Sequence, residues 1–550
     1  MEAAPYEAPL TVGEIVILTN DIFSDDEVAN TNGALRLLRH GMNTLHFTTR
    51  HHVLSRELQF HTGDVFDPDQ LAETERILRN LGFLNNVRVA AVDTTADGRV
   101  KILVSTREAW TLRTSFSYSL ASGGDQRWKV SASEGNFLGH GVTAGAGVGA
   151  DEDSNYWNLW YRQRRLFKAG FWFGLDYSQR DDGHTRRLIF NRPFYALDDP
   201  WGTEFKIWNQ EFGQRFYLSN GGPAGLDPSN PDRLYALLAY KEQGVEARFQ
   251  WRASAEKKGR VWRLGGGLDV VDRLFREDLT LVELSDGRFE DLTWLDQRGQ
   301  PYARETGIEV NPFLWAHTQG RSWAKTRFVL QYGPVEDIAT DWTADLKIGP
   351  TGGHVGSTSG YAESRWHGEF WARRWFPVGQ GFMVTEIGAS GDAGSKLVQT
   401  YKYNGVVGWI RRSGAEMSPW ITRVFGEYGQ GANLLGSNAL VLGLDRGLRT
   451  LDFDGMAGDH LARWNFEQGK AMPWEVAGLM RVGAAVFYSG GSAWWKDEER
   501  GSDGTRHEAG FGIRFGPTRS ANAQIARIDL AWDLNGDGSP VITAITRGFF

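Results

Sequence analysis

The chain has no cysteine, little proline and no long apolar run. The lack of cysteine among 550 residues removes disulfides, thiolate metal sites and cysteine nucleophiles, and it is compatible with a protein exposed to the periplasm. Nowhere do about 18 apolar residues follow one another, which excludes a membrane-spanning helix and leaves strands untested. Cationic residues are not in excess: 60 Lys and Arg face 68 Asp and Glu, for a net charge of −8. That balance offers nucleic acid no basic footprint. Met1-Glu2-Ala3-Ala4-Pro5 lacks the basic and apolar stretches of a secretory leader, as expected of a mature form with an added start Met. In a soluble chain the same residues would read as an ordinary cytoplasmic N-terminus.

Aromatic residues are abundant. There are 31 Phe, 23 Trp and 16 Tyr, yet only 41% of residues are hydrophobic and the mean hydropathy is −0.41. A membrane β-barrel reconciles these numbers, because alternate side chains face lipid and water and aromatic girdles mark both interfaces. The 67 glycines against 17 prolines suit many strands joined by tight turns.

The chain closes on Pro540-Val541-Ile542-Thr543-Ala544-Ile545-Thr546-Arg547-Gly548-Phe549-Phe550, which roughly alternates and stops on an aromatic residue. A chain end is usually a frayed polar tail. One that ends as a strand on Phe is expected to be held in a sheet, as at the end of a bacterial outer-membrane barrel.

Residues 14–107 have a different texture. Glu14–Thr19 reads as a strand, Ala34–Arg39 as a helical piece, and His51–Phe60 as a short helix stopped by Gly63. A further helix has Asp67 as N-cap, Pro68 at its first position and Gln70 at the capping-box position. Leu71, Ile77, Leu78 and Leu81 form its apolar face, and Gly82 is its natural stop. Val87–Thr94 and Arg99–Thr106 flank an Asp97-Gly98 hairpin turn. These pieces suffice for one small α+β domain.

From about Thr111 the helical period vanishes. Thr114–Leu120, Trp128–Ser133, Tyr156–Tyr161, Gly170–Tyr177, Phe328–Tyr332, Arg365–Arg373 and Phe382–Ile387 read as strands. The Gly-, Asp- and Asn-rich stretches Gly123–Gln126, Asp181–Gly183, Ser219–Asp232, Gly349–Gly360, Gly391–Gly394 and Lys496–Gly504 read as their connections. A large closed barrel removes the edges that so many strands would otherwise leave open. No repeat of the propeller kind is visible.

The segment His46–Arg50, Val53–Asp64 and Glu75–Leu84 resembles a POTRA domain, the periplasmic module that precedes the barrels of BamA/TamA-like outer-membrane assembly and translocation proteins. Glu134-Gly135-Asn136-Phe137-Leu138-Gly139-His140-Gly141 and Asn191–Tyr195 resemble early strands of those barrels. Gly510–Phe515 and Ala526–Ala531 resemble the penultimate ones. The resemblance implies a membrane all-β barrel of about sixteen antiparallel strands, an even number, behind one N-terminal α+β POTRA domain. The expected boundaries are a linker at 1–13, the POTRA domain at 14–110 and the barrel at 111–550.

In that superfamily a loop folds back into the barrel with an Arg-Gly-aromatic tip. Leu442–Leu451 matches it and puts Arg449 in the place of the arginine, with Asp445, Gly447, Asp459 and Glu467 around it. An arginine inside a lumen needs an acceptor, because an unpaired charge shielded from water is costly. The planar guanidinium suits a carboxylate. The tip here reads Arg449-Thr450-Leu451, and the partner motif Phe-x-Asp-x-Gly reads Phe487-Tyr488-Ser489-Gly490-Gly491, so Ser489 stands where the Asp is expected. Glu467 is the replacement candidate. The alternative is a solvated loop arginine pairing with Asp445 or Asp452.

Three motifs are set aside. Asp533–Gly538 opens like a calcium loop but has Ala544 at the position that needs a bidentate Glu, and reads as a hairpin turn. His51-His52 has no nearby ligand set. Gly141–Gly149 has no Lys-Ser/Thr and no following helix, so it is read as a strand rather than a phosphate loop.

The resemblance implies assembly or translocation of proteins at the outer membrane, with no covalent chemistry, cofactor or metal. The barrel would be the lipid-embedded part, with the POTRA domain in the periplasm receiving an unfolded or secreted client by strand addition, and periplasmic accessory proteins as further partners. The first strand, about Arg113–Leu120, would meet the last, about Val541–Phe550. Thr114, Phe116 and Tyr118 on one side and Ile545, Gly548 and Phe550 on the other would form a seam that opens to template a client strand. The alternative is a structural subunit or passive pore that kept the architecture without inserting clients.

Overall fold

The computed structural model describes residues 9–120, 126–151, 154–167, 169–217, 235–254, 259–275, 282–283, 289–290, 307–355, 365–394, 400–432, 434, 438–444, 446–451, 455–496, 504–520, 525–536, 538 and 540–546. A small α+β domain leads. Strand β1 (Thr11–Asn20) runs parallel to β3 (Arg99–Glu108), and β2 (Leu84–Thr94) pairs antiparallel with β3, giving the order β1-β3-β2. Helices α1 (Asp25–Ala29), α2 (Gly33–Leu45), α3 (His51–Ser55) and α4 (Pro68–Arg79) complete it.

Local chemistry accounts for these helices. The Asp67 side chain accepts from the Asp69 backbone N–H, Pro68 opens α4, and Asn80 caps its end. A capping box forms on α1 instead, between Ser24 and Glu27. Leu71, Ile77, Leu78 and Leu81 are all buried, and Leu71, Leu78 and Leu81 pack with Val12, Leu54, Phe60, Leu84, Ile102 and Val104.

Strand β4 (Leu112–Leu120) begins the barrel, which closes with twenty strands rather than about sixteen. Some separators expected from the sequence lie inside strands: Gly349 in Thr343–Val355, Gly391 and Gly394 in Gly381–Gly394. A Cβ on Gly349 would sit 2.1 Å from the Pro312 carbonyl oxygen of the neighbouring strand, so the glycine serves close strand approach and not a turn. Side chains alternate across the wall. In Arg506–Pro517, Phe511 and Ile513 are exposed on the outside, while Glu508 and Arg514 are buried on the inside.

Phe328–Tyr332, expected as a strand, is not one. It is a bent segment within the long turn between barrel strands Gly307–Gln319 and Thr343–Val355. Phe328, Val329 and Tyr332 are fully buried inside the barrel, against Trp375, Phe382, Val384, Ile410, Ile421 and Ala471. Diameter grows with strand number, and part of this wider lumen is filled by chain from its own rim.

The N-terminal domain docks on turns of that same rim. Asn136 Nδ2 donates to the Phe47 carbonyl (3.1 Å) and Thr49 Oγ1 (2.9 Å). The motif around it is therefore a socket, and a Cβ on Gly139 (φ +74°) would strike the Thr48 carbonyl oxygen at 2.3 Å. Arg164 and Arg165 both grip Glu57, each at 2.9 Å. Burial pushes the Glu57 carboxyl up, but these two guanidiniums outweigh it and hold it below the usual range. Arg519 pairs with Glu27 at 2.5 Å, and Trp110 N–H donates to the Arg519 carbonyl at 2.9 Å.

Candidate functional site

Five adjacent strands build the inner wall opposite the inserted loop: Ser418–Ala432, His460–Val476, Met480–Trp494, Arg506–Pro517 and Ala526–Asp533. Alternation turns Arg423, Glu467, Phe487, Ser489, Glu508, Arg514 and Asp529 inward, all buried. From the rim opposite the N-terminal domain, the connection between Ser418–Ala432 and His460–Val476 folds into the lumen. Leu440–Leu442 pairs with Met456–Gly458, and Leu442, Leu448 and Leu461 form its small core.

Arg449 at the tip is 3% exposed. Its Nη1 donates to Glu508 Oε1 at 2.8 Å, and its Nε to Asp529 Oδ2 at 2.7 Å. The guanidinium carbon lies 3.8 Å from the centre of the Phe487 ring. Glu508 also caps the tip backbone: its Oε2 accepts from Arg449 N (2.6 Å), Thr450 N (3.0 Å) and Thr450 Oγ1 (3.3 Å). Thr450, at the position where the resemblance expects glycine, adds a hydroxyl donor here.

The charges form a chain. Arg514 reaches Glu467 at 2.6 Å and also binds Asp529, while Arg423 meets the other Glu467 oxygen at 3.0 Å. Asp529 thus joins Arg449 to Arg514. Charged groups so deeply placed persist only when each finds its counter-charge.

Glu467, the expected acceptor for Arg449, serves Arg423 and Arg514 instead. Ser489 does touch Arg449, at 3.5 Å from Nη1, and accepts a shorter bond from Asn465 Nδ2 at 2.7 Å. Gly447 (φ +137°) lets Arg463 pass close: a Cβ there would lie 2.9 Å from Arg463 Nη1. Asp459 stands at the base of the loop, where its Oδ1 accepts from Lys496 N at 2.8 Å and pairs with His460 at 2.7 Å. Asp445 and Asp452 lie outside the described residues.

The residues that sequence reasoning missed are Glu508 and Asp529. Glu508 is the one carboxylate of its strand, and Asp529 stands between Ile528 and Leu530 in a strand whose alternate residues are apolar; a carboxylate on the face opposite the apolar one was the available signal.

From the opposite rim the buried segment around Tyr332 rises toward the same network. The Tyr332 side chain lies against Gly483 and Gly516, where a Cβ would come within 2.8 Å of its ring and 2.1 Å of its Cβ. Its electrostatic neighbours are Arg423, Glu467 and Arg514. The N-terminal domain holds the flanks of this segment. Arg79 Nε and Nη2 grip Asp337 Oδ2 and Oδ1, each at 2.9 Å, Lys325 pairs with Glu75 at 2.6 Å, and Arg76 sits 4.6 Å from the Trp323 ring.

At the seam, the last described strand is Pro540–Thr546. Among the described residues only Thr543↔Ser119 and Ala544↔Tyr118 are in register across it. Tyr118 is therefore at the joint. Thr114 and Phe116, on the same face of β4, are in register with Ala132 and Val130 of the second barrel strand. Ile545 pairs with Arg527 of the penultimate strand. Gly548 and Phe550 lie outside the described residues.

The POTRA family model, described as "Surface antigen variable number repeat", matches residues 46–109. No curated protein matches the chain. Among solved structures, CdiB from Escherichia coli aligns with a TM-score of 0.44 at 11% identity, over 99% of this chain and 91% of that one. CdiB from Acinetobacter baumannii gives 0.44 and 11%, over 98% and 73%. BamA from Haemophilus ducreyi lacking POTRA domains 1–3 gives 0.39 and 11%, over 98% and 85%. Likeness at this level specifies no function. The matched segment and the closed antiparallel barrel that follows it give the chain a POTRA domain ahead of a twenty-stranded β-barrel, the order of modules expected from its resemblance to the BamA/TamA-like superfamily.

Proposed function

We propose that the chain assembles or translocates proteins at the outer membrane, pairing a client strand at the seam between its first and last barrel strands. The observation that carries this reading is the seam between the chain's own first and last barrel strands. Among the described residues two pairs are in register there, whereas β4 is in register with the second strand along Leu112–Leu120 and the last strand with the penultimate one along Pro540–Thr546. Backbone groups in lipid must be hydrogen-bonded, so a seam that parts offers the edge of β4 as a template for an incoming strand. The POTRA domain lies in the periplasm in this reading. The outer edge of β2 offers an unfolded or secreted client a first pairing site, because β2 stands at the end of its sheet. Accessory proteins of the periplasm and lipid of the outer membrane are the other partners.

A passive pore is the weaker reading. The inserted loop enters from one rim and the Tyr332 segment from the other, and both occupy lumen that a pore would leave open.

The absence of cysteine makes a clean test available. Ser119 and Thr543 are buried and in register, and antiparallel partners lie at about 4.5–5.5 Å between Cα atoms, within disulfide range. In Ser119→Cys/Thr543→Cys, the oxidised protein in liposomes should no longer accelerate folding of an unfolded barrel client, and reduction should restore it. Equal acceleration in both states would remove the seam from the mechanism.

A further inference from the structure

Helix α2 is poorly covered by protein. Of its 13 residues only Met42 is buried, packed with Ile22 and Phe23. Leu37 and Leu45 are 74% and 75% exposed, and Leu35 and Leu38 are exposed as well. At about 100° per residue, Ala34, Leu37, Leu38, Gly41 and Leu45 share one arc, with Arg36, His40 and Thr44 beside it. The helix carries Arg36, Arg39 and His40 and no acidic residue. Arg39 is engaged inward, donating to the Glu27 carbonyl at 2.7 Å and Thr31 Oγ1 at 2.6 Å. Arg36 and His40 are exposed.

The helix hangs between two rim turns that flank the seam. On one side the Arg39 side chain lies at Gly478, where a Cβ would come within 2.8 Å of Nη2, and Leu479 packs on the cluster of Met42. On the other, Phe47, just past the helix, meets Phe137 edge-on at 5.9 Å. Between those turns the barrel order runs through six strands, from Met480–Trp494 through the seam to Gln126–Glu134. Both contacts come from the C-terminal half of α2 and the residues just past it, so that end of the helix lies at the rim between the two turns that flank the seam.

The rim there is apolar on its outer side. Trp474, Val476 and Met480 are exposed at one anchoring turn, and Phe137 and Leu138 at the other. They extend the outward apolar face of the wall to the two turns that α2 touches.

We propose that α2 is an interfacial helix. Its leucine arc enters the phospholipid leaflet on the N-domain side beneath the seam, and Arg36 and His40 meet the headgroups. A basic, acid-free helix with a bare apolar arc has the composition of such helices, and continuity with the lipid-facing band selects lipid over a second protein. The inference rests on the barrel lying in lipid and is independent of strand templating at the seam.

The test uses the full chain in phosphatidylcholine/phosphatidylglycerol vesicles, with single-cysteine variants Leu38→Cys, Leu45→Cys and Arg36→Cys carrying an environment-sensitive fluorophore. Doxyl-labelled phosphatidylcholine should quench the labels at 38 and 45 roughly threefold more than the label at 36, as partial burial of one helix face requires. Equal access of aqueous iodide to all three labels would overturn the proposal. Shielding from iodide without doxyl quenching would overturn it too, since it would put protein on the arc. The client-folding assay of the seam variant is unaffected by either outcome.

Discussion

Glu508 stands directly across the strand pair from Ser489, and it supplies the carboxylate that the serine cannot. Ser489 stands where the resemblance led us to expect an aspartate, and a carboxylate one strand over reaches the arginine. Glu508→Ala should therefore release the loop and cost about 3–5 kcal/mol, the usual price of stripping one partner from a buried pair. Because Ser489 Oγ is 3.5 Å from Arg449 Nη1, adding Ser489→Asp to Glu508→Ala should recover much of that loss. Arg449→Ala should abolish the rescue and raise single-channel conductance. Thermal melting of these variants and of Ser489→Asp alone measures the coupling. An additive double mutant would show that the two positions do not share the arginine.

The segment around Tyr332 should obstruct the lumen only while the POTRA domain holds it. Asp337→Ala removes the acceptor of both Arg79 nitrogens, and Gly516→Val places side-chain atoms where a Cβ already lies 2.1 Å from Tyr332 Cβ. Both variants should raise conductance in planar bilayers, the first by loosening the tether and the second by expelling the ring. Unchanged conductance in both would mean that current does not pass where this segment lies.

Glu108 links the POTRA domain to the barrel. Its carboxyl accepts from Thr49 N (2.7 Å) and Thr49 Oγ1 (2.9 Å), and Thr49 in turn accepts from Asn136. Burial pushes the Glu108 carboxyl up to about 7 from 4.5, against the lowering effect of the Thr49 bonds. The folded state then holds a proton that the unfolded state has lost between those values, so stability falls as pH rises through the window. The shift corresponds to roughly 3 kcal/mol at neutral pH. Glu108→Gln, always neutral, should flatten the dependence of melting temperature on pH between about 5 and 7.5. A slope identical to that of the parent chain would assign the pH dependence to other groups.

The two-residue alternation of Gly510–Phe515 and the capping at Asp67-Pro68 are local signals, and both elements formed where the sequence placed them. Phe328–Tyr332 shows the limit. It is as apolar as a strand, and it is buried like one. Its burial comes from the lumen of a barrel whose walls are built by strands far away in sequence, so no local pattern distinguishes it. Gly349 and Gly391 misled in the opposite direction, because close backbone approach between strands demands glycine as much as a turn does.

By itself the sequence determined the class of the molecule: alternation with aromatics and no apolar helix allows a lipid-facing wall, and Arg449 at a glycine-flanked tip requires an acceptor. Only the tertiary structure decided that twenty strands close the wall and that Glu508 and Asp529, 59 and 80 residues from Arg449, are the acceptors. The reason is physical. Alternation states which face of a strand a side chain takes, whereas register and closure, set by pairing between distant segments, decide which inward-facing charges meet.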